Sequence, residues 1–397
     1  MGNRIRVVHV INSFGFGGAE AMLCNLLLRS DRDRFDLHVV SLIDDLRVAG
    51  SIIEAGIPLT TIGMKPGVPS PLAMVRLIRH LRRIRPQVIQ TWMDHSNLIG
   101  GIAGRFVPGA KIAWGIHHSN HVRGLTKRST LLTVRACATL SGRVPARIVC
   151  CSEHGRTLYA ARGFAKETMT VIPNGFDTDR FRPDRQAALE VRAELGLPAD
   201  ATLIGLVARY DPLKDHATFV RAAGLLHKSI PQVHFLMCGD KVNGDNAALV
   251  EQISSLGLIG SCHLLGPRRD MARIFAALDV ATSSSISEAF PLAVGEAMSC
   301  GVPCIATDVG DSVLMIGPAG KIIPPGDPVA LAAGWSQILQ MDAADRAQLG
   351  AAARKRVREL FDLGAVARRY ETLYQELAGP AAKSMEIGRN VACDTGS

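Results

Sequence analysis

The sequence predicts an α/β protein built from two doubly wound parallel-sheet domains that face each other across a cleft. Three observations carry that prediction. At 397 residues the chain exceeds one ordinary hydrophobic core and suits two domains of roughly 150–200 residues each. Short apolar runs alternate with helix-like segments, the pattern of strand–helix–strand units whose strands run parallel. The alternation breaks at a stretch rich in Pro, Arg and Asp, residues 181–200, and restarts near residue 202.

Residues 4–10 read as a buried strand, followed by a glycine-rich turn (Ser13 to Glu20) and a helical run to Leu28. Residues 35–43 form a second strand and 58–62 a short third. Residues 72–85 follow as a basic amphipathic helix with Met74, Ile78 and Leu81 on one face and Arg76, Arg79 and Arg83 on another. Residues 87–91, 111–116 and 147–151 are further strands, and residues 170–172 lead into Pro173-Asn174-Gly175. Beyond the break, residues 202–208, 233–238, 262–264, 280–283 and 303–306 are short strands. The expected domains are therefore 1–182 and 183–361. A last helix, 363–378, is expected to return to the first domain, and the small polar tail, 380–397, is expected to be disordered. Two such sheets in series place a ligand between the carboxyl ends of their strands.

Composition narrows the function classes. Apolar residues make up 47% and charged residues 20%, a globular balance without an 18-residue uncharged apolar run. The chain enters its first strand directly, without a signal-peptide core, and Arg6 breaks the myristoylation pattern after Gly2. A cytoplasmic location is expected, and nine cysteines without a Cys-x-x-Cys pair suit a reducing compartment. The net charge of +9 is uneven: residues 1–180 hold 24 Lys/Arg against 12 Asp/Glu. With aromatics at only 5% and no basic–aromatic alternation, nucleic acid is not the expected anionic partner. An anionic membrane surface fits the basic helix better, against the plainer reading of a solvated helix face.

The most informative segment runs from Ser283 to Gly310. A strand ends in a serine-rich loop, a helix opens around Pro291, and Gly301-Val302-Pro303 stops it. The free amides between Phe290 and Val294, around Pro291 and Leu292, then point out of a helix amino end at the carboxyl edge of a sheet, where phosphate or sugar oxygens bind well. Glu288 sits just before that helix. Glu296 sits about a turn inside it, placed to accept ribose hydroxyls. Arg209 and Lys214, just past another strand, form a diphosphate clamp in this reading. Gly17 and Gly18 let the backbone approach a phosphate closely. A nicotinamide dinucleotide site would need a third glycine that this loop lacks, although Asp44 stands near the second strand's end.

Glu288, seven residues, Glu296, then Glu-Ala-Met-x-x-Gly-x-Pro and Ala306-Thr-Asp-Val-Gly310 strongly resemble glycosyltransferase family 4, of the GT-B fold. The resemblance covers most of the chain. It includes Gly15-x-Gly17-Gly18-Ala-Glu20, Val171-Ile-Pro-Asn-Gly-Phe-Asp177 with Phe181-x-Pro183, Val207-Ala-Arg209 through Lys214, and Gly320 through Asp327. It implies two Rossmann-like domains, the first on the acceptor side and the second binding a nucleotide sugar. It also implies that Arg209 and Lys214 stabilise the departing nucleoside diphosphate in place of a metal ion.

The family usually has a histidine after the strand ending near Ile116, close to the donor's sugar and phosphate. His118 is assigned that place, with adjacent His117 as the other register. The implied reaction is transfer with retention of anomeric configuration, the donor phosphate itself taking the acceptor's proton. The acceptor is expected to be a glycan or a polyprenyl-linked molecule, in building a surface polysaccharide or glycolipid. A nucleotide-sugar 2-epimerase and an inert nucleotide- or lipid-binding module are the alternatives on this fold. Neither a cofactor nor a required metal is expected. The two Asp-x-Asp segments, at Asp31 and Asp177, suit turns or caps, and Glu288 and Glu296 are too far apart in sequence for a glycosidase pair.

Overall fold

The computed structural model describes residues 4–15, 17–65, 70–117 and 127–379. Seven strands form the first sheet: β1 (Ile5–Ile11), β2 (Phe35–Ser41), β3 (Leu59–Thr61), β4 (Val88–Trp92), β5 (Lys111–Ile116), β6 (Arg147–Cys150) and β7 (Met169–Val171). They lie in the order β3-β2-β1-β4-β5-β6-β7, every pair parallel. Six more form the second sheet: β8 (Leu203–Val207), β9 (His234–Cys238), β10 (Cys262–Leu264), β11 (Val280–Ser283), β12 (Cys304–Thr307) and β13 (Gly320–Ile323). Their order is β10-β9-β8-β11-β12-β13, again all parallel. Strand order reverses between β1 and β4 and between β8 and β11, so each sheet opens a crevice at its carboxyl edge.

Near-continuous apolar runs such as Val-Ile-Gln-Thr-Trp in β4, buried throughout, are what a parallel sheet covered on both faces requires. Helix Pro71–Ile84 covers one face of the first sheet through Ala73, Leu77 and Leu81. Met74 and Ile78 are only half-buried, so the buried stripe is rotated from the expected Met74–Ile78–Leu81 face. Arg76, Arg79, Arg82 and Arg83 are exposed, together with Leu72 and Val75.

Helix Leu363–Ala378 covers the opposite face beside helix Gly18–Arg29. It buries Leu363, Val366, Ala367, Tyr370, Leu373 and Tyr374 at helical spacing into the core of the first sheet. Each large side chain so buried contributes about 1.5–3 kcal/mol before chain entropy is counted. The chain therefore crosses between the domains twice, and the crossings pair: Phe176 N–H donates to Phe361 O at 2.8 Å and Leu363 N–H to Phe176 O at 3.0 Å.

Two elements add to the expected ones. Residues 181–200, where the alternation breaks, are not irregular throughout. They contain helix Arg185–Glu194, which Asp184 caps by accepting from Ala187 N–H at 2.9 Å. Ala187 and Val191, four residues apart, bury one face of it, a short apolar stripe masked by the surrounding charges. The segment Gly320 to Ile323, absent from the expected strands, is strand β13 at the sheet edge. A four-residue strand is too short for its periodicity to stand out.

A direct link between the domains comes from Asp311. Its carboxylate accepts from Glu153 N–H at 2.8 Å and His154 N–H at 2.9 Å, capping a first-domain helix (Glu153–Ala161) from the second domain. Among the described residues, no helix is long and apolar enough to cross a membrane. The cysteines described are all free thiols, and Cys262 alone of them is not fully buried.

Candidate active site

The carboxyl edges of the two sheets enclose a cavity of about 810 Å³. Gly17, Gly18, Arg209, Lys214, Glu288, Phe290, Pro291, Leu292 and Glu296 all line it, so the structure brings these expected site residues to one place. His118 lies outside the described residues; His117 lines the cavity.

On the second-domain side, β8 ends and the chain turns through Arg209 to a single 3-10 turn, Pro212–Lys214. Asp211 shapes that turn by accepting from Leu213 N–H at 2.9 Å and pairing with Arg209 Nε at 3.2 Å. Asp215, at φ 46°, then caps the helix His216–Ser229. The neighbouring loop after β11 is tied to this one: Ser284 Oγ donates to Lys214 O at 2.9 Å and to Asp215 O at 3.1 Å. Glu288 is ion-paired with Lys214 Nζ and accepts from Ser285 Oγ at 2.7 Å. The loop bearing Glu288 packs so closely that a Cβ on Gly310, at φ +56°, would sit 2.3 Å from Glu288 O, a contact only glycine avoids. Lys214 and Glu288 are thus positioned from two separate loops before any ligand arrives.

Helix Leu292–Ser299 follows, with Pro291 at its N-cap and no side chain capping it. Its open amide end and partial positive charge face the cavity. Glu296, in the second turn, is half-buried on the cavity wall. Burial pushes its carboxyl up to about 7, with Arg180 pulling weakly the other way. Arg268, from the loop after β10, also lines the cavity. Asp270, at 2.8 and 2.7 Å, and Glu194 hold its guanidinium.

On the first-domain side, Gly17 caps helix Gly18–Arg29 and the Glu20 side chain folds back over it. Desolvation raises the Glu20 carboxyl, while its own backbone N–H and the Arg209 charge lower it. A Cβ on Gly18 would lie 3.1 Å from Leu292 Cδ1. The reason for this glycine is therefore contact with the opposite domain, in addition to any approach by a phosphate.

His117 stacks on Trp92 at 4.4 Å between ring centroids. Burial lowers its pKa to about 3, with Asn174 working weakly against the shift. The imidazole is therefore neutral in the physiological range and suited to hydrogen bonding rather than to carrying charge. Met93, at φ +74°, turns the chain so that Asp94 opens the helix Asp94–Gly104 on the cavity wall. Tyr159 Oη donates to both Asp94 carboxylate oxygens at 3.2 Å. Asp94 and Asn174 were not singled out from sequence, although both follow strands at their carboxyl ends, the one signal that could have found them.

The Asp-x-Asp segments are spent on turns. Asp31 Oδ1 accepts from Asp33 N–H at 2.9 Å, and Asp177 Oδ1 from Asp179 N–H at 3.1 Å and Arg180 N–H at 3.0 Å. Among the described residues, no cluster of three or more His, Cys, Asp or Glu could hold a metal ion.

Two family models divide the chain between them: Glycosyltransferase Family 4 matches residues 16–180 and Glycosyl transferases group 1 matches residues 188–356. A Bacillus subtilis (strain 168) protein named "Putative glycosyltransferase EpsF" is 25% identical over 307 residues, 76% of this chain and 79% of that protein. D-inositol 3-phosphate glycosyltransferase of Mycobacterium leprae (strain Br4923) is 36% identical over 169 residues, 41% of this chain and 38% of that protein. Among solved structures, Anabaena Alr3699/HepE, in complex with UDP and glucose, superposes with a TM-score of 0.81 at 23% identity, covering 93% of this chain and 99% of that one. Sucrose-phosphate synthase from Thermosynechococcus elongatus superposes at 0.76 with 21% identity, covering 94% and 99%. With its two parallel-sheet domains, its shared cleft and these matches, the chain belongs to glycosyltransferase family 4 and has the GT-B fold.

Proposed function

We propose that this chain is a retaining, metal-independent glycosyltransferase that moves a hexosyl unit from a nucleotide-diphosphate sugar to a glycan or lipid-linked acceptor, in surface polysaccharide or glycolipid synthesis. The observation that carries this reading is the convergence of Arg209, Lys214 and the uncapped amino end of helix Leu292–Ser299 on one cavity wall. Two cations and a helix amino end supply the positive field that a leaving diphosphate needs. The Anabaena protein is solved with UDP and with UDP-glucose, which supports a nucleotide-sugar donor here.

In this reading Glu296 accepts the ribose hydroxyls and His117, neutral, hydrogen-bonds the donor, with His118 as the alternative register. Glu288 keeps Lys214 aimed. The acceptor oxygen bonds to the anomeric carbon as the bond from that carbon to the phosphate oxygen breaks, and the departing phosphate takes the acceptor's proton on the same face. Arg209 and Lys214 meet charge that grows along this path, so their stabilisation is greatest at the transition state. The exposed arginines of helix Pro71–Ile84, flanked by Leu72 and Val75, suit peripheral contact with an anionic membrane on the cytoplasmic side.

Proton NMR of the first sugar formed from an α-linked UDP-, GDP- or ADP-sugar tests the reaction, with water serving as a slow acceptor. The expected first product is the α anomer. A β anomer appearing first would replace retention by inversion.

A further inference from the structure

The first domain holds most of the chain's positive charge, yet among the described residues its side of the cleft carries few cations. Of the 24 Lys/Arg in residues 1–180, Lys127 alone lines the cavity among the described residues, whereas Glu20 and Asp94 both do. Asn174 joins them: it is 5% exposed, lines the cavity, and among the described residues its Oδ1 is buried without a well-formed hydrogen bond, its interaction with the His117 imidazole being weak. A buried carbonyl left short of a donor is unfavourable, a penalty that a ligand's donor removes. Met93 adds a second unfavourable feature at the same wall, since a non-glycine residue at φ +74° is strained and such strain clusters at functional sites.

Two carboxylates and an amide oxygen accept hydrogen bonds. A ligand meeting them must bring donors, and sugar hydroxyls do. A phosphate or carboxylate group brings acceptors and negative charge, and would be repelled. We infer that Glu20, Asp94 and Asn174 form an acceptor subsite for the hydroxyls of an uncharged sugar, so that the reacting end of the acceptor is a neutral sugar and not a phosphorylated one. This rests on the donor–acceptor reading above and sets the acceptor's chemical class. Any anionic part of the acceptor then lies outside the cleft, toward the exposed basic surface.

The test uses the full chain saturated in turn with UDP, GDP and ADP. Saturation-transfer NMR then compares methyl glycosides of glucose, galactose, mannose and N-acetylglucosamine with their 6-phosphates. Neutral glycosides are expected to bind and their phosphates not to. Glu20→Gln and Asn174→Leu are each expected to weaken the neutral sugar about 10-fold or more, the scale of one hydrogen bond lost to a buried or charged group. Calorimetric nucleotide binding on the same samples shows that each variant is folded. Phosphates binding as well as the neutral sugars, no neutral sugar binding, or variants without effect would overturn the subsite while leaving nucleotide binding intact. Failure of the unaltered chain to bind any nucleotide would instead remove the donor reading on which the subsite rests.

Discussion

Lys214 and Glu288, 74 residues apart in sequence, form an ion pair on the cavity wall, with Ser285 Oγ donating to the same carboxylate oxygen at 2.7 Å. Their side chains keep only 22% and 13% of their exposure, so the pair is screened less than a surface bridge. Lys214→Ala removes a cation that faces growing diphosphate charge, and Glu288→Gln releases that cation from its aim. Each is expected to lower kcat by roughly 10²–10³-fold with a smaller effect on donor KM. Steady-state kinetics with both variants near wild-type turnover would exclude the clamp.

Glu296 is expected to give the proposed donor site a pH dependence. Its carboxyl is pushed up to about 7 by burial, and the ionised form is the better acceptor for ribose hydroxyls. Nucleotide-sugar affinity is therefore expected to rise as pH increases through about 7, by about 10-fold between pH 6 and pH 8. Nucleotide sugars do not themselves titrate there, so calorimetry across that range reads the protein. Glu296→Gln should flatten the profile, and a flat profile in the unaltered chain would assign Glu296 to structure.

Stability should fall in acid for a separate reason. His9 and His117, both lowered to about 3, and His216, lowered to about 4, owe their shifts chiefly to burial. Unfolded histidine titrates near 6.5, so below that pH the unfolded state binds protons that the native state refuses, and stability is lost as pH drops. Each contributes about 2 kcal/mol of loss at pH 5; Glu20, Glu296 and Asp311, with raised pKa values, act in the opposite sense. Denaturant unfolding at pH 7 and pH 5 should therefore show a smaller difference in His9→Gln than in the unaltered protein. An unchanged difference would mean that His9 is not held neutral.

Activity is expected to survive exhaustive EDTA treatment, because side-chain cations and a helix amino end occupy the place a metal would take in the proposed mechanism. Loss of transfer with EDTA and its recovery with Mg²⁺ or Mn²⁺ would contradict that mechanism.

The basic helix makes a prediction of its own. Each Lys or Arg near an anionic bilayer contributes about 1 kcal/mol, so three or four suffice for reversible docking. The protein should sediment with anionic vesicles, not with zwitterionic ones, and salt should release it. Arg76→Gln, Arg79→Gln and Arg83→Gln together should abolish sedimentation without affecting nucleotide binding. Equal recovery on both vesicle types would leave these arginines as a solvated face.

The architecture was legible in the sequence because parallel strands buried on both faces leave apolar runs, such as those of β1 and β4, that polar turns punctuate. The second-domain wall of the cavity was legible because Arg209, Lys214, Glu288 and Glu296 lie within short motifs, each at a strand or helix end. What escaped depends on contacts between distant segments. Gly18 is small because Leu292 of the other domain lies against it, and no local pattern announces that neighbour. The proposed acceptor wall assembles Glu20, Asp94 and Asn174 from separate segments of the first domain, and only the strand order places them together. Asp311 lies just past the informative segment that ends at Gly310, yet it caps a helix of the opposite domain.

The central claim is that the cleft binds a nucleotide-diphosphate sugar through Arg209, Lys214 and Glu296. Thermal unfolding with UDP-, GDP- and ADP-sugars in EDTA-containing buffer tests it most directly. One base class is expected to stabilise the unaltered protein by about 2.7 kcal/mol at 100 times its Kd, and much less in a chain carrying Glu296→Ala. No stabilisation by any of the three, or equal stabilisation of the Glu296→Ala chain, would contradict it.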